Sequence, residues 1–216
     1  MPSIRIDQTD LRVNNIFCVA RNYLAHAAEM GASIGSEPVV FIKPNSAILQ
    51  SGQAMQLPSW SKDVHHEAEL VVAIGRGGKN ISKDNALEHV AGYALGLDLT
   101  ARDVQAEAKR AGMPWTLSKG FDGAAVLTQF VPASVIRNPF ELEFTLEING
   151  KSKQQADTRL MAFDVATLIS WISSRFTLQA GDLIYTGTPE GVGQLHSGDQ
   201  LKLTLGDLIE EKFVVA

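Results

Sequence analysis

Residues 64–75 carry the feature to which the rest of the chain must answer. From Leu70 the segment is aliphatic and β-branched, Leu70-Val71-Val72-Ala73-Ile74, and it stops at Gly75, so it reads as a buried strand. Its first part holds two carboxylates, Glu67 and Glu69, spaced i, i+2, and a strand points such a pair to one face. Like charges on a hydrophobic face repel each other and lose hydration, so they persist only where a cation or another partner balances them. A third acid, Asp98, ends a second apolar run over residues 90–98. Three oxygen donors with no cysteine beside them suit a hard divalent cation, magnesium ahead of manganese or calcium. The spacing leaves open whether the two strands meet, and carboxylates at strand ends are also common on plain surfaces.

A chain of 216 residues is long enough to bury a substantial core and short enough to be one domain. A net charge of −5 argues against general nucleic-acid binding. No apolar run reaches the roughly 20 residues that cross a bilayer. The first residues have no apolar signal core, so the expected setting is cytoplasmic, away from membranes. The single cysteine, Cys18, lies in Ile16-Phe17-Cys18-Val19 and reads as a buried structural thiol.

In chain order, residues 16–20 read as a short strand. The segment 21–31 reads as a short helix with Asn22 as cap and Gly31 as stop. His26 and Glu29 are three apart, so a helix puts them on one face, where a carboxylate can orient an imidazole base; a solvated surface pair is the plain alternative. Residues 38–44 form a strand closed by proline, with Lys43 either a cation beside the acids or simply solvated. Adjacent strand residues face opposite ways, so at most one of His65 and His66, by parity His65, could join Glu67 and Glu69. Residues 82–88 suggest a short helix, and 100–112 a second, with Thr100 as cap and Gly112 as stop. Arg102 and Gln105 share a face of that second helix. Residues 114–123 read as an irregular loop carrying Lys119. The alternating strand 141–148 runs into Asn149-Gly150, a hairpin signal. Helical spacing of apolar residues over 163–176 marks a core helix, and the glycine-dense turn after Tyr185 offers two threonine hydroxyls, Thr186 and Thr188. Gly206-Asp207 suggests a closing hairpin.

Taken together, these blocks resemble the fumarylacetoacetate hydrolase family in its short acylpyruvate hydrolase form. The resemblance rests on Arg21-Asn22-Tyr23 with His26 and Glu29, on Phe41-Ile42-Lys43-Pro44 and on His65-His66-Glu67-Ala68-Glu69. It continues through residues 97–105, Pro114-Trp115 with Lys119, and 186–193. It implies an α+β, mostly β fold, a mixed β-sandwich roll with a few short helices. It implies one catalytic domain over 1–216, with about 14–31 as a lid-like segment, and a homodimer. By the same resemblance Glu67, Glu69 and Asp98 are metal ligands, for Mg2+ with Mn2+ or Ca2+ as substitutes. His26, Glu29 and Lys119 are catalytic, and Arg21, Arg102, Gln105 and Thr188 hold a small 2-oxo acid substrate. Ala20 and Ala124-Ala125-Val126 depart from the family pattern at packing positions. The expected activity is carbon–carbon cleavage of acylpyruvates. Oxaloacetate decarboxylation or tautomerisation, or isomerisation or hydration of unsaturated 2-oxo acids, is the alternative, and a small-acid binding protein without turnover is the non-enzymatic one.

Overall fold

The structure, a computed structural model, describes residues 2–29, 31, 33–136 and 138–216. β1 (Ser3–Ile6) and β2 (Thr9–Arg12) form an antiparallel ribbon, followed by β3 (Ile16–Ala20), α1 (Leu24–Glu29), β4 (Val39–Lys43) and β5 (Ile48–Gln50). The acidic segment divides into β6 (Val64–His66) and β7 (Ala68–Ile74), with Glu67 in the break between them. The long β8 (Val90–Asp98) comes next, and β9 (Thr100–Ala101) runs directly into α2 (Arg102–Ala111). Then follow the one-turn helix α3 (Thr116–Lys119), β10 (Ala125–Leu127) and β11 (Val131–Pro132). The last part comprises β12 (Glu143–Ile148), β13 (Lys151–Asp157), α4 (Val165–Arg175), β14 (Leu183–Tyr185), β15 (Gly193–Gln194), β16 (Gln200–Leu205) and β17 (Ile209–Val214). The chain is thus mostly β with a few short helices, as the family resemblance implies.

The main sheet is mixed, in the order β4-β3-β14-β7-β8-β10-β5, with β11 also paired to β8. Its parallel joins are β3 with β14 and β10 with β5. Every residue of β7 is buried, which is why the strand, Glu69 apart, is apolar on both faces rather than alternating. A four-stranded antiparallel sheet, β13-β12-β16-β17, alternates instead: Phe144, Leu146 and Leu203 face the core and join the same hydrophobic cluster as β7 and β8. The β12–β13 turn at Asn149-Gly150 has φ of 53° and 73°, the left-handed pair that a two-residue hairpin needs. Helix α4 buries Leu168, Ile169 and Ile172, and its Asp164 cap accepts from the Thr167 N–H at 2.7 Å.

Several local expectations are corrected. Residues 82–88 do form a short helix, of 3₁₀ type, over Lys83–His89, whereas residues 114–123 are not wholly irregular, because α3 lies within them. Thr100 does not cap α2; its hydroxyl donates to the Asp98 carbonyl at 3.2 Å. Asn22 does not cap α1. Its amide donates to the carbonyls of Phe163 (2.9 Å) and Thr186 (2.7 Å) and accepts from the Phe163 N–H (2.8 Å), tying the base of α1 to two distant loops. Within 14–31, Ile16–Ala20 is an interior strand paired on both sides, and α1 follows it.

Candidate active site

β7 and β8 run antiparallel with Ala68 opposite Leu97, so the first residues of one strand lie beside the last of the other. The Asp98 N–H donates to the Glu67 carbonyl at 2.8 Å and fixes that register. Glu67, Glu69 and Asp98 therefore converge, each offering an oxygen within 4.8 Å of the others, and all three are buried. Close approach at Gly96, opposite Glu69, helps to hold the strands: a Cβ there would lie 2.7 Å from the Tyr185 ring.

Three cations balance the three acids. Lys119, delivered by α3, places Nζ 2.7 Å from Glu67 Oε2 and 2.8 Å from Asp98 Oδ2. Lys43, at the end of β4, meets Asp98 Oδ1 at 2.7 Å and also donates to the Leu99 and Lys119 carbonyls. Arg102, the first residue of α2, donates to Glu67 Oε1 at 2.6 Å and to Gln105 Oε1 at 2.8 Å. The position of Lys43, open in the sequence, is thus beside the acids.

Burial lifts the Glu67 carboxyl, but Lys119 and Arg102 together outweigh it and hold Glu67 well below the usual carboxylate range. Glu69 goes the other way. Its burial, and then repulsion from Asp98 and Glu67, push it well above that range, against the Gly187 N–H that donates to Oε2 at 2.6 Å. Burial lowers Lys119, yet Asp98 and Glu67 more than compensate and keep it above the ordinary lysine range.

The turn after β14 closes one side. The Thr186 and Thr188 hydroxyls donate to the carbonyls of Leu70 (2.9 Å) and Ala68 (2.8 Å). Gly187 has φ of 99°, and a Cβ there would sit 2.7 Å from the Asn22 Cβ, so only glycine fits between the turn and the base of α1. A cleft of about 230 Å³ opens over the acids, and Arg21, His26, Gln105 and Thr188 all line it. His26 Nδ1 lies 3.5 Å from Glu29 Oε2, and Glu29 also accepts from the Gly191 N–H at 3.2 Å. Every site residue expected from the sequence therefore lies in or directly against one cleft.

The histidines beside the acids do not join them. His65 Nε2 bonds Asp63 at 2.8 Å, and His66 Nδ1 bonds Gln154 Oε1 at 3.0 Å. Gln154 is a member that sequence reasoning missed. Its Oε1 also accepts from the Ala68 N–H at 2.9 Å, while its Nε2 donates to Thr188 Oγ1 at 2.8 Å and to the Pro189 carbonyl at 3.0 Å. It fastens the break at Glu67 to the threonine turn. The one available signal was its inward parity with Ala156 in an otherwise polar strand.

The family description Fumarylacetoacetate (FAA) hydrolase C-terminal matches residues 15–215. The chain belongs to the fumarylacetoacetate hydrolase family. Among its relatives in that family, oxaloacetate tautomerase FAHD1, mitochondrial, of Rattus norvegicus is 42% identical over 93% of this chain and 91% of its own. The solved fumarylpyruvate hydrolase of Pseudomonas aeruginosa, in complex with Mn2+ and pyruvate, superposes with a TM-score of 0.94 at 38% identity, covering 100% of this chain and 95% of that one. A 5-carboxymethyl-2-hydroxymuconate delta-isomerase from Mycobacterium smegmatis gives 0.84 at 36% identity, covering 95% and 80%. Members of the family are enzymes of hydrolase, tautomerase and isomerase type. The names of the curated relatives place those proteins in mitochondria, which lends no support to the cytoplasmic setting expected from the first residues. Among the described residues, no helix is long and apolar enough to cross a membrane.

Proposed function

We propose that the chain is a magnesium-dependent hydrolase that cleaves acylpyruvates, 2,4-dioxo acids, to pyruvate and a carboxylate. The observation that carries this reading is the presence of two kinds of chemistry in one cleft: a buried acidic triad, and a histidine oriented by a carboxylate.

The donor set fits a hard divalent cation. Three buried carboxylates stand within 4.8 Å of one another, and Glu69, the acid with no lysine or arginine partner among the described residues, is the one whose charge is most opposed. Glu67, Glu69 and Asp98 would hold the cation, and manganese in the related Pseudomonas aeruginosa structure supports that choice of ligand chemistry. When bound, such an ion supplies Lewis-acid polarisation to the chelating oxygens of a 2-oxo acid.

The remaining steps belong to side chains. Glu29 holds the His26 Nδ1 proton, which leaves Nε2 free to take a proton from water as the water attacks the distal carbonyl. Lys119 and Gln105 then face the charge that develops on the 2-oxo oxygen as the carbon–carbon bond breaks, and Arg21, Arg102 and Thr188 orient the acid.

A second reading, oxaloacetate tautomerisation or decarboxylation, is favoured by the curated relatives named for the tautomerase. That chemistry needs the acids and Lys119 but no activated water. An assay of acetylpyruvate, fumarylpyruvate and oxaloacetate with magnesium, and again with EDTA, separates the readings. Cation-dependent release of pyruvate from the first two supports hydrolysis, and turnover of oxaloacetate alone replaces it with the second.

A further inference from the structure

We propose that Lys109 is the residue that receives the second, distal carboxylate when the substrate is a dicarboxylic 2-oxo acid. The proposal rests on the 2-oxo acid chemistry above and deepens it.

Position comes first. Arg102, Gln105 and Lys109 are spaced i, i+3, i+7 on α2, which puts them on one helical face, and all three line the cleft. The first two lie over the acids, and Lys109 lies farther along the same wall.

An aromatic pair fixes that wall. Phe41 and Trp115 meet edge to face with centroids 5.8 Å apart. Lys119 Nζ stands 5.2 Å from the Phe41 centroid, and Lys109 Nζ 5.4 Å from the Trp115 centroid. Two ammonium groups thus rest on neighbouring rings. Lys119 sits on the inner ring and is committed to Glu67 and Asp98. Lys109 sits on the outer ring and makes no ion pair among the described residues.

Charge balance gives Lys109 its task. Lys43, Lys119 and Arg102 are already committed to Glu67 and Asp98, and Lys109 pairs with none of the acids among the described residues. Arg21, also on the cleft wall, forms no ion pair among the described residues, and its backbone is held at φ of 60°. Burial, and then the neighbouring Arg102 and Arg21 charges, hold Lys109 below the usual lysine range, as expected where cations gather without an anion. A substrate with one carboxylate, taken up by the reacting end, leaves this outer positive group unanswered. A substrate with two answers it.

The test compares fumarylpyruvate, with two carboxylates, and acetylpyruvate, with one, on the cation-loaded wild type, Lys109→Gln and Lys109→Arg. A rim charge pair is worth about fivefold at most. Lys109→Gln should therefore lower kcat/KM for fumarylpyruvate about fivefold more than for acetylpyruvate, through KM, with Lys109→Arg recovering most of the difference. In the wild type the same preference should shrink at high salt, because an exposed charge is screened. Equal losses on both substrates, or none on either, overturn the proposal. If the wild type cleaves neither acid, the hydrolytic reading alone has failed. Lys109 is then decided by stopped-flow tryptophan quenching on mixing with oxaloacetate or pyruvate: weaker binding of oxaloacetate in Lys109→Gln, out of proportion to pyruvate, sustains it, and parallel changes reject it.

Discussion

Lys43 Nζ lies 2.7 Å from Asp98 Oδ1, with side-chain exposures of 0% and 2%. A lysine this deep is tolerated because its charge is paired with Asp98 and it donates to the Leu99 and Lys119 carbonyls. Through the last of these it also fixes the backbone that presents the second lysine to the same acids. Removing one partner of a buried pair leaves the other charge uncompensated and costs roughly 3–5 kcal/mol. Lys43→Met should therefore lower Tm by roughly 6–20 °C and weaken cation binding, both readable from melts with and without magnesium. A variant with unchanged Tm would mean that the pair contributes little to the fold.

The acids also set a pH dependence. Glu69 is raised above its unfolded value of 4.5 in the cation-free protein. A raised carboxyl stabilises the fold fully below the unfolded value, and that stability is lost as pH rises through the folded value. Glu67 is shifted downward and Lys119 upward, so neither titrates in this window. A bound cation removes the penalty on ionised Glu69. The rise in Tm on adding magnesium should thus grow as pH is raised above the unfolded value of 4.5. A rise that is flat or shrinks across that range contradicts this account of Glu69.

Gln154 offers a test of positioning. Replacement by leucine leaves the Ala68 N–H and His66 Nδ1 without their partner at the break before β7. Each buried polar group so orphaned costs about 1–3 kcal/mol. Gln154→Leu should lose stability on that scale, with kcat falling more than KM rises as the Glu67 and Thr188 positions loosen. Wild-type kinetics in a destabilised variant would limit Gln154 to a structural role.

How much of this was legible in the chain follows from the range of each interaction. The apolar run of β7 and its i, i+2 acids are local, and the sequence states them; the Asn149-Gly150 hairpin and the α4 stripe are equally local. What brings Asp98 to Glu67 is strand pairing, which spacing along the chain does not encode. Lys43 was ambiguous because its partners come from β8 and α3. Asn22 and Thr100 have side chains that also suit helix caps, and local propensity favours that use. In the fold both are drawn to carbonyls elsewhere, Asn22 across 141 and 164 residues. Gln154 answers Ala68 across 86 residues from another sheet, so its role had no local trace beyond parity.

His26 separates the two enzymatic readings. As a general base it supplies about 10²–10⁴-fold, and His26→Ala should lose that much kcat on acylpyruvates while oxaloacetate turnover falls far less. Equal loss on both substrates would assign His26 to binding or folding rather than to water activation.

The central claim is that Glu67, Glu69 and Asp98 jointly hold a divalent cation. Its most direct measurement is an anomalous difference map from a crystal of this protein soaked in manganese. The account predicts a peak bonded to one oxygen from each of the three acids, and none there in Glu69→Gln. A wild-type map with no peak among those oxygens, or with manganese bound only elsewhere, would contradict it.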